Sequence, residues 1–307
     1  MNYPGNQLEF DRMFSTEEAC VDFLIKLRWP DGFTCPKCKN IENYWRLAGR
    51  EIKCKRCNHK LSVTAGTIFQ DSRIDLCILF RALWWIIAQK NGVSAKGVQK
   101  ILGIGSYRTA WTWLHKFRRL MVLPGREKLS GKVEIDETFV GGAKEGKRGR
   151  GASGKDIVII AVEVKGKATG RIRLRRIMDC SVEEIRSFVE DNVEQGSVIV
   201  TDGWPSYLFL SEEGYIHDIT KATVYDSEEL LPNVHRIASL LKRWLIGTHQ
   251  NYTTSKHIEY YLDEYTFRYN RRTSKSRGLL FQRLMEQAMI HEPLTNKNMQ
   301  MKNLKSG

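Results

Sequence analysis

Val133-Glu134-Ile135-Asp136-Glu137-Thr138-Phe139-Val140-Gly141-Gly142 decides the reading of this chain. Its residues alternate. Val133, Ile135 and Glu137 fall on one side, and Glu134, Asp136 and Thr138 on the other, as on a strand that ends in a tight Gly-Gly turn. One face is apolar enough to carry a fold; the other holds Asp136. A charged residue on an exposed strand face is unremarkable alone. A second apolar run, Ser197-Val198-Ile199-Val200-Thr201-Asp202-Gly203, also ends in an aspartate. Two strands that each deliver a carboxylate suit a divalent cation, because hard cations take oxygen ligands.

The composition sets the class. Forty-nine Lys and Arg against 35 acids give a net charge of +14 in 307 residues, an excess that favours a polyanion, nucleic acid first among them. The chain is long enough for two domains and a core. The most apolar run, Ile78 to Ala88, is interrupted by Arg81 and is too short to span a bilayer. With acids and no apolar stretch in Met1 to Phe14, no export signal is expected and the chain reads as cytoplasmic, without membrane association. Seven cysteines without an export signal argue for metal ligation by some of them rather than a disulfide framework.

Four of these form Cys35-Pro-Lys-Cys38 and Cys54-Lys-Arg-Cys57. Paired Cys-x-x-Cys knuckles at this separation predict a structural zinc site with its tetrahedron closed. Short strands are expected at 44–47, 51–53 and 61–64, making a zinc ribbon. Lys37, Lys39, Lys53, Lys55 and Arg56 around it are suited either to phosphates or to solvent. Ahead of it, residues 8–28 read as helical, with Ser15 and Glu18 as a capping box. Behind it, Leu76–Lys90 reads as a buried helix. Ala95–Leu102, a Gly-containing turn and Tyr107–Leu120 form a helix-turn-helix pattern or a plain helical hairpin. Arg108, Thr109, Thr112, His115 and Lys116 are expected on its exposed side.

The second domain begins near Lys132. Its first strand leads into a Gly-rich basic stretch containing Lys147, Arg148 and Arg150, expected to order on an anion. Strands are expected at 156–164 and 171–175 and a helix over 181–193 with Ser181 as N-cap. Beyond Asp202, Trp204 can stack on a base or pack. A helix from His235 to Ile246, capped by Asn233, has Ile237, Leu240, Leu241, Trp244 and Leu245 on one face and His235, Ser239 and Lys242 on the other, with Arg236 and Arg243 beside them. Glu259, Asp263 and Glu264, on an aromatic-rich helix at 256–272, are alternative third ligands. A last helix covers 279–290.

Taken together, Asp136-Glu-Thr-Phe-Val-Gly-Gly142, Thr201-Asp202-Gly-Trp204 and Ser239-Leu-Leu-Lys-Arg-Trp244 followed by Gly247-Thr-His249 resemble bacterial insertion-sequence transposases that join a zinc ribbon to an RNase H-like, DDE-type catalytic domain. The resemblance spans roughly residues 10–285. It implies an α+β multidomain chain: helix and ribbon at 1–70, a helix-turn-helix-like DNA-binding segment at 71–124, an RNase H-like domain with a mixed sheet at 130–290, and a disordered tail at 291–307. It also implies catalytic Asp136, Asp202 and His235, with histidine where many relatives have glutamate, around Mg2+ or Mn2+. Lys242, Arg243, Trp204, Arg108, Lys147, Arg148 and Arg150 would contact DNA. The implied reaction is cleavage at transposon 3′ ends and strand transfer into target DNA by a nucleoid-associated protein, at least a dimer on DNA. The competing readings are a DNA-binding regulator with a decayed catalytic domain and a general RNase H-type nuclease.

Overall fold

A computed structural model describes residues 3–41, 43–123, 125–141, 155–166, 168–220, 230–250 and 255–294. The chain divides into two units, one of Met1–Met121 with the segment from Ser274, the other of Val122–Thr273.

In the first unit, α1 (Gln7–Met13) and α2 (Glu17–Arg28) replace the single helix expected over 8–28. The N-cap of α2 is Thr16, which accepts from Ala19 N at 3.2 Å, not Ser15. The ribbon strands β1 (Tyr44–Arg46), β2 (Glu51–Cys54) and β3 (Lys60–Ser62) form an antiparallel sheet. Three helices follow: α3 (Leu76–Ala88), α4 (Ala95–Ile101) and α5 (Tyr107–Arg119). The start of α3 has no side-chain cap of its own; Glu17 supplies one, accepting from Leu76 N at 2.6 Å. Its other oxygen accepts from Arg50 Nε at 2.7 Å, and the same guanidinium donates to Ser72 O and Ile74 O. One half-buried ion pair therefore ties ribbon, α2 and α3 together. Phe10 stacks on Trp84, and Phe14, Phe80 and Phe281 meet these rings and one another edge to face or tilted in the core between these helices.

Phe281 lies on α9 (Arg277–Ile290), which packs on α2 and α3. The sequence reading ran the second domain to 290; this helix lies instead with the N-terminal helices. Gly278 explains how it fits there: a Cβ would stand 1.9 Å from Pro4 O. On α5, Ala110, Trp113, Leu114 and Phe117 pack as expected and Arg108 is exposed. His115 is not exposed but wholly buried, its ring 4.1 Å from that of Trp111 one turn earlier.

The second unit is a five-stranded sheet of order β6-β5-β4-β7-β8, built from β4 (Lys132–Val140), β5 (Asp156–Lys165), β6 (Ala168–Ile177), β7 (Val198–Thr201) and β8 (Ile216–Ile219). β4 and β5, and β5 and β6, pair antiparallel; β4–β7 and β7–β8 are parallel. This is the mixed RNase H-like sheet that the resemblance implied. β4 is central and buried on both faces. Val133 and Ile135 pack with α6 (Val182–Asn192) and the 3-10 helix Pro205–Ser211 through Phe188, Val189, Tyr207 and Leu210. The opposite face packs α7 (Pro232–His249) and α8 (Ile258–Asn270) through Val234, Ile237, Leu241, Leu245, Tyr261 and Tyr265. The apolar stripe expected on α7 is the one that is buried. Its cap is not Asn233 as expected: the N-cap position is Leu231, with Pro232 in the first turn.

Candidate active site and zinc centre

The zinc centre is set by two turns. Lys39 and Asn58, each directly after the second cysteine of its knuckle, adopt φ of 59° and 57°, and their N–H groups donate back to Cys35 O and Cys54 O. Left-handed backbone there turns both thiols of a knuckle inward. Cys35 and Cys57 Sγ lie 3.7 Å apart, as do those of Cys38 and Cys54, and all four lie within 4.8 Å of one another. Zn–S bonds of about 2.3 Å in a tetrahedron require sulfurs about 3.8 Å apart, so the four thiols fit a structural zinc. The N–H groups of Cys57 and Arg56 pull the Cys54 thiol down to about 6, toward the thiolate a metal needs.

The second site sits at the middle of β4 and just past the end of β7. Their parallel register pairs Glu134 with Val200. Asp136 stands two residues further along β4 and Asp202 directly past the last residue of β7, near enough for its charge to act on the Asp136 carboxyl. Each carboxylate is steered by backbone: Asp136 Oδ1 accepts from Glu137 N at 2.8 Å and Asp202 Oδ1 from Trp204 N at 3.0 Å. The turn after Asp202 is fixed from below. Thr201 Oγ1 accepts from Gly203 N at 3.1 Å and bonds His217 Nε2 at 2.8 Å. Gly203 has φ +79°, and a Cβ there would meet Ile219 Cγ2 at 2.6 Å.

From the first turn of α7, His235 reaches the same place. Its Nε2 lies 3.4 Å from Asp136 Oδ2, with the imidazole 42% and the carboxylate 19% exposed. Burial, followed by the charge of Glu137 and then that of Asp202, pushes the Asp136 carboxyl up to about 6; the Glu137 N–H and His235 pull the other way. Negative groups crowded until one resists ionisation are the signature of a site shaped for a cation. Carboxylate oxygens and an imidazole are donor types that Mg2+ or Mn2+ accepts, although among the described residues the four cysteines alone form a group whose ligand atoms all lie within 4.8 Å of one another. Lys242 is exposed further along α7; burial of its stem and then Lys155 lower its pKa, while Asp136 raises it. Arg243 is exposed beside it, and Trp204 is 38% exposed beyond Asp202. Lys147, Arg148 and Arg150 lie outside the described residues.

The alternative third carboxylates lie elsewhere. Glu259 Oε1 accepts from Arg176 N on β6 at 2.6 Å, two strands from β4, and Glu264, 1% exposed, pairs with Arg268. Sequence reasoning missed three contributors: Lys155, the buried Tyr207, which donates to Glu137 Oε1 at 2.5 Å beneath the site, and Glu134. Glu134 had a signal, an acid two residues before Asp136 on the same strand face.

Four zinc-ribbon thiols in one unit and a mixed RNase H-like sheet in the other define a fold class, a zinc ribbon joined to an RNase H-like domain. Comparison narrows it. Residues 128–270 match the ISXO2-like transposase domain of the IS1595 type, and residues 15–60 match its transposase zinc-ribbon domain. The chain belongs to this family of insertion-sequence transposases. It is 27% identical over 258 residues to a protein described as an uncharacterized protein in transposable element ISH50 of Halobacterium salinarum, covering 76% of this chain and 85% of that one. Among solved structures it is similar to the catalytic core domain of BIV integrase, with 16% identity over 45% of this chain and 81% of that chain and a TM-score of 0.31. Among the described residues, no helix is long and apolar enough to cross a membrane.

Proposed function

We propose that this chain is a DNA transposase that cuts at transposon 3′ ends and joins them to target DNA, with Asp136, Asp202 and His235 as a DDH set of ion ligands. One observation carries the reading: Asp136 in the central strand has an imidazole nitrogen 3.4 Å from its carboxylate and feels the charge of Asp202, which follows the neighbouring parallel strand. Bound divalent ions would polarise the phosphodiester and lower the pKa of the attacking hydroxyl or water.

The chain's own groups do the rest. Asp136 and Asp202 are each oriented by a backbone N–H group that donates to Oδ1. His235 offers Nε2 and must be neutral to do so. Lys242 and Lys155 bring positive charge to the rim, where a scissile phosphate needs it. In cleavage, a water oxygen bonds to phosphorus and the transposon 3′ oxygen leaves. In joining, that oxygen bonds to a target phosphorus and the target's 3′ oxygen leaves, so no covalent enzyme intermediate forms. The zinc ribbon, Arg108 on α5 and the basic stretch with Lys147, Arg148 and Arg150 bind DNA, Trp204 and Arg243 contact it beside the site, and the protein acts as at least a dimer on paired ends.

The test is strand transfer of a labelled oligonucleotide carrying the element's end, with Mg2+ or Mn2+. Wild type cleaves and joins; Asp136→Ala and Asp202→Ala bind the end but do neither. Sequence-specific binding by wild type without metal-dependent cleavage would select the regulator instead.

A further inference from the structure

The helix that brings His235 to the site starts without a local cap, since Leu231 makes no side-chain bond there. Its first-turn N–H donors are instead taken by a side chain about a hundred positions earlier. Glu134 Oε2 accepts from Asn233 N at 2.8 Å and from Val234 N at 3.0 Å, and Glu134 Oε1 accepts from Asn233 Nδ2 at 2.7 Å. Asn233 Oδ1 in turn accepts from Thr169 Oγ1 on β6 at 2.9 Å. Glu134 is 5% exposed and Thr169 7%, so water does not compete for these bonds.

A carboxylate at a helix N-terminus satisfies orphan N–H groups and complements the helix dipole. A local Ser or Asp would do that as well. What a local cap cannot do is fix the helix against the sheet. Glu134 lies two residues before Asp136 on the same face of the central strand, and it grips the two residues that immediately precede His235. One side chain therefore sets the distance between the strand of the first aspartate and the turn bearing the imidazole.

We infer that Glu134 is a positioning residue: by clamping the first turn of α7 to β4 it aims His235 Nε2 at the ion site beside Asp136. The inference rests on the proposed role of His235 as an ion ligand. Loss of such an outer partner costs metal affinity roughly 10-fold or more, because the ligand must then be ordered on binding.

The test uses the full-length, zinc-loaded protein with Mn2+ as probe, read by Mn2+ titration and by pulsed electron paramagnetic resonance for 14N coupling to the ion. Wild type shows one imidazole coupling, absent in His235→Ala. Glu134→Ala binds Mn2+ roughly 10-fold more weakly and loses the coupling. Glu134→Gln restores it: its amide oxygen still accepts from both backbone N–H groups, and the Asn233 amide turns over to accept from its nitrogen. If Glu134→Ala does not fold, Glu134→Asp is read in its place, one methylene too short to hold α7 and Asp136 at the same spacing; it loses the coupling. Wild-type coupling and affinity in a folded Ala or Asp variant would overturn the inference while leaving His235 as a ligand. No coupling in wild type would overturn both.

Discussion

Replacing Asp136 with asparagine should stabilise the protein in the absence of Mg2+ and Mn2+ while abolishing cleavage. The carboxyl is raised from the usual 3.8 to about 6, by burial first and then by Glu137 and Asp202. The folded state therefore holds its proton where the unfolded chain has lost it, and stability falls as pH climbs from about 4 to about 6. Above pH 6 the cost is complete. At about 1.4 kcal/mol per pH unit it amounts to about 3 kcal/mol. Asparagine keeps the Oδ1 that accepts from Glu137 N, so the hydrogen bond survives and only the charge goes. For a unit of this size, about 3 kcal/mol corresponds to a rise in melting temperature of roughly 6–12 °C. The assay is thermal unfolding at pH 8 and at pH 4, with zinc retained and no other divalent ion. Asp136→Asn should melt higher at pH 8 and nearly with wild type at pH 4; added Mn2+ should stabilise wild type alone. An equal or lower melting point for the variant at pH 8 would refute the reasoning.

Imidazole suits manganese better than magnesium, so cleavage should be faster with Mn2+ than with Mg2+; His235→Glu should keep activity and lose that preference, as rates measured with each ion will show. Gly203→Ala, forced into φ +79° and against Ile219, should displace the Asp202 turn and lower cleavage roughly 10-fold with little change in end binding by gel shift. Gly278→Ala cannot keep α9 seated against Pro4 and should cost about 1–3 kcal/mol in urea unfolding. Elemental analysis should find one zinc per chain, lost in Cys54→Ser together with DNA-end binding.

Much of this architecture was legible because it is periodic or locally punctuated. The alternation in 133–140 gave β4 and its two faces, and the spacing of Ile237, Leu241 and Leu245 gave the buried side of α7. The spacing of the two knuckles marks the four-cysteine centre in the sequence itself. The sequence brought Asp136, Asp202 and His235 to the same short list; the imidazole lies 3.4 Å from the Asp136 carboxylate, and the charge of Asp202 acts on that carboxyl. What escaped depends on distant partners. β8 is four residues long and mostly exposed at the sheet edge, so its pattern is weak. The cap of α7 comes from Glu134 across the sheet, where local reasoning offered Asn233. His115 has a polar name, but Trp111 one turn earlier covers it. Helix α9 has the same apolar pattern whichever unit it joins; only Gly278 against Pro4 and Phe281 among the N-terminal aromatics decide.

Diffraction from crystals of the full-length protein soaked in Mn2+, recorded at the manganese edge, tests the central claim most directly. Anomalous density is expected between Asp136 and Asp202, within bonding distance of His235 Nε2, and none is expected in the Asp136→Ala protein. An empty space between the two aspartates, or manganese held instead by Glu259 and Asp263, would contradict it.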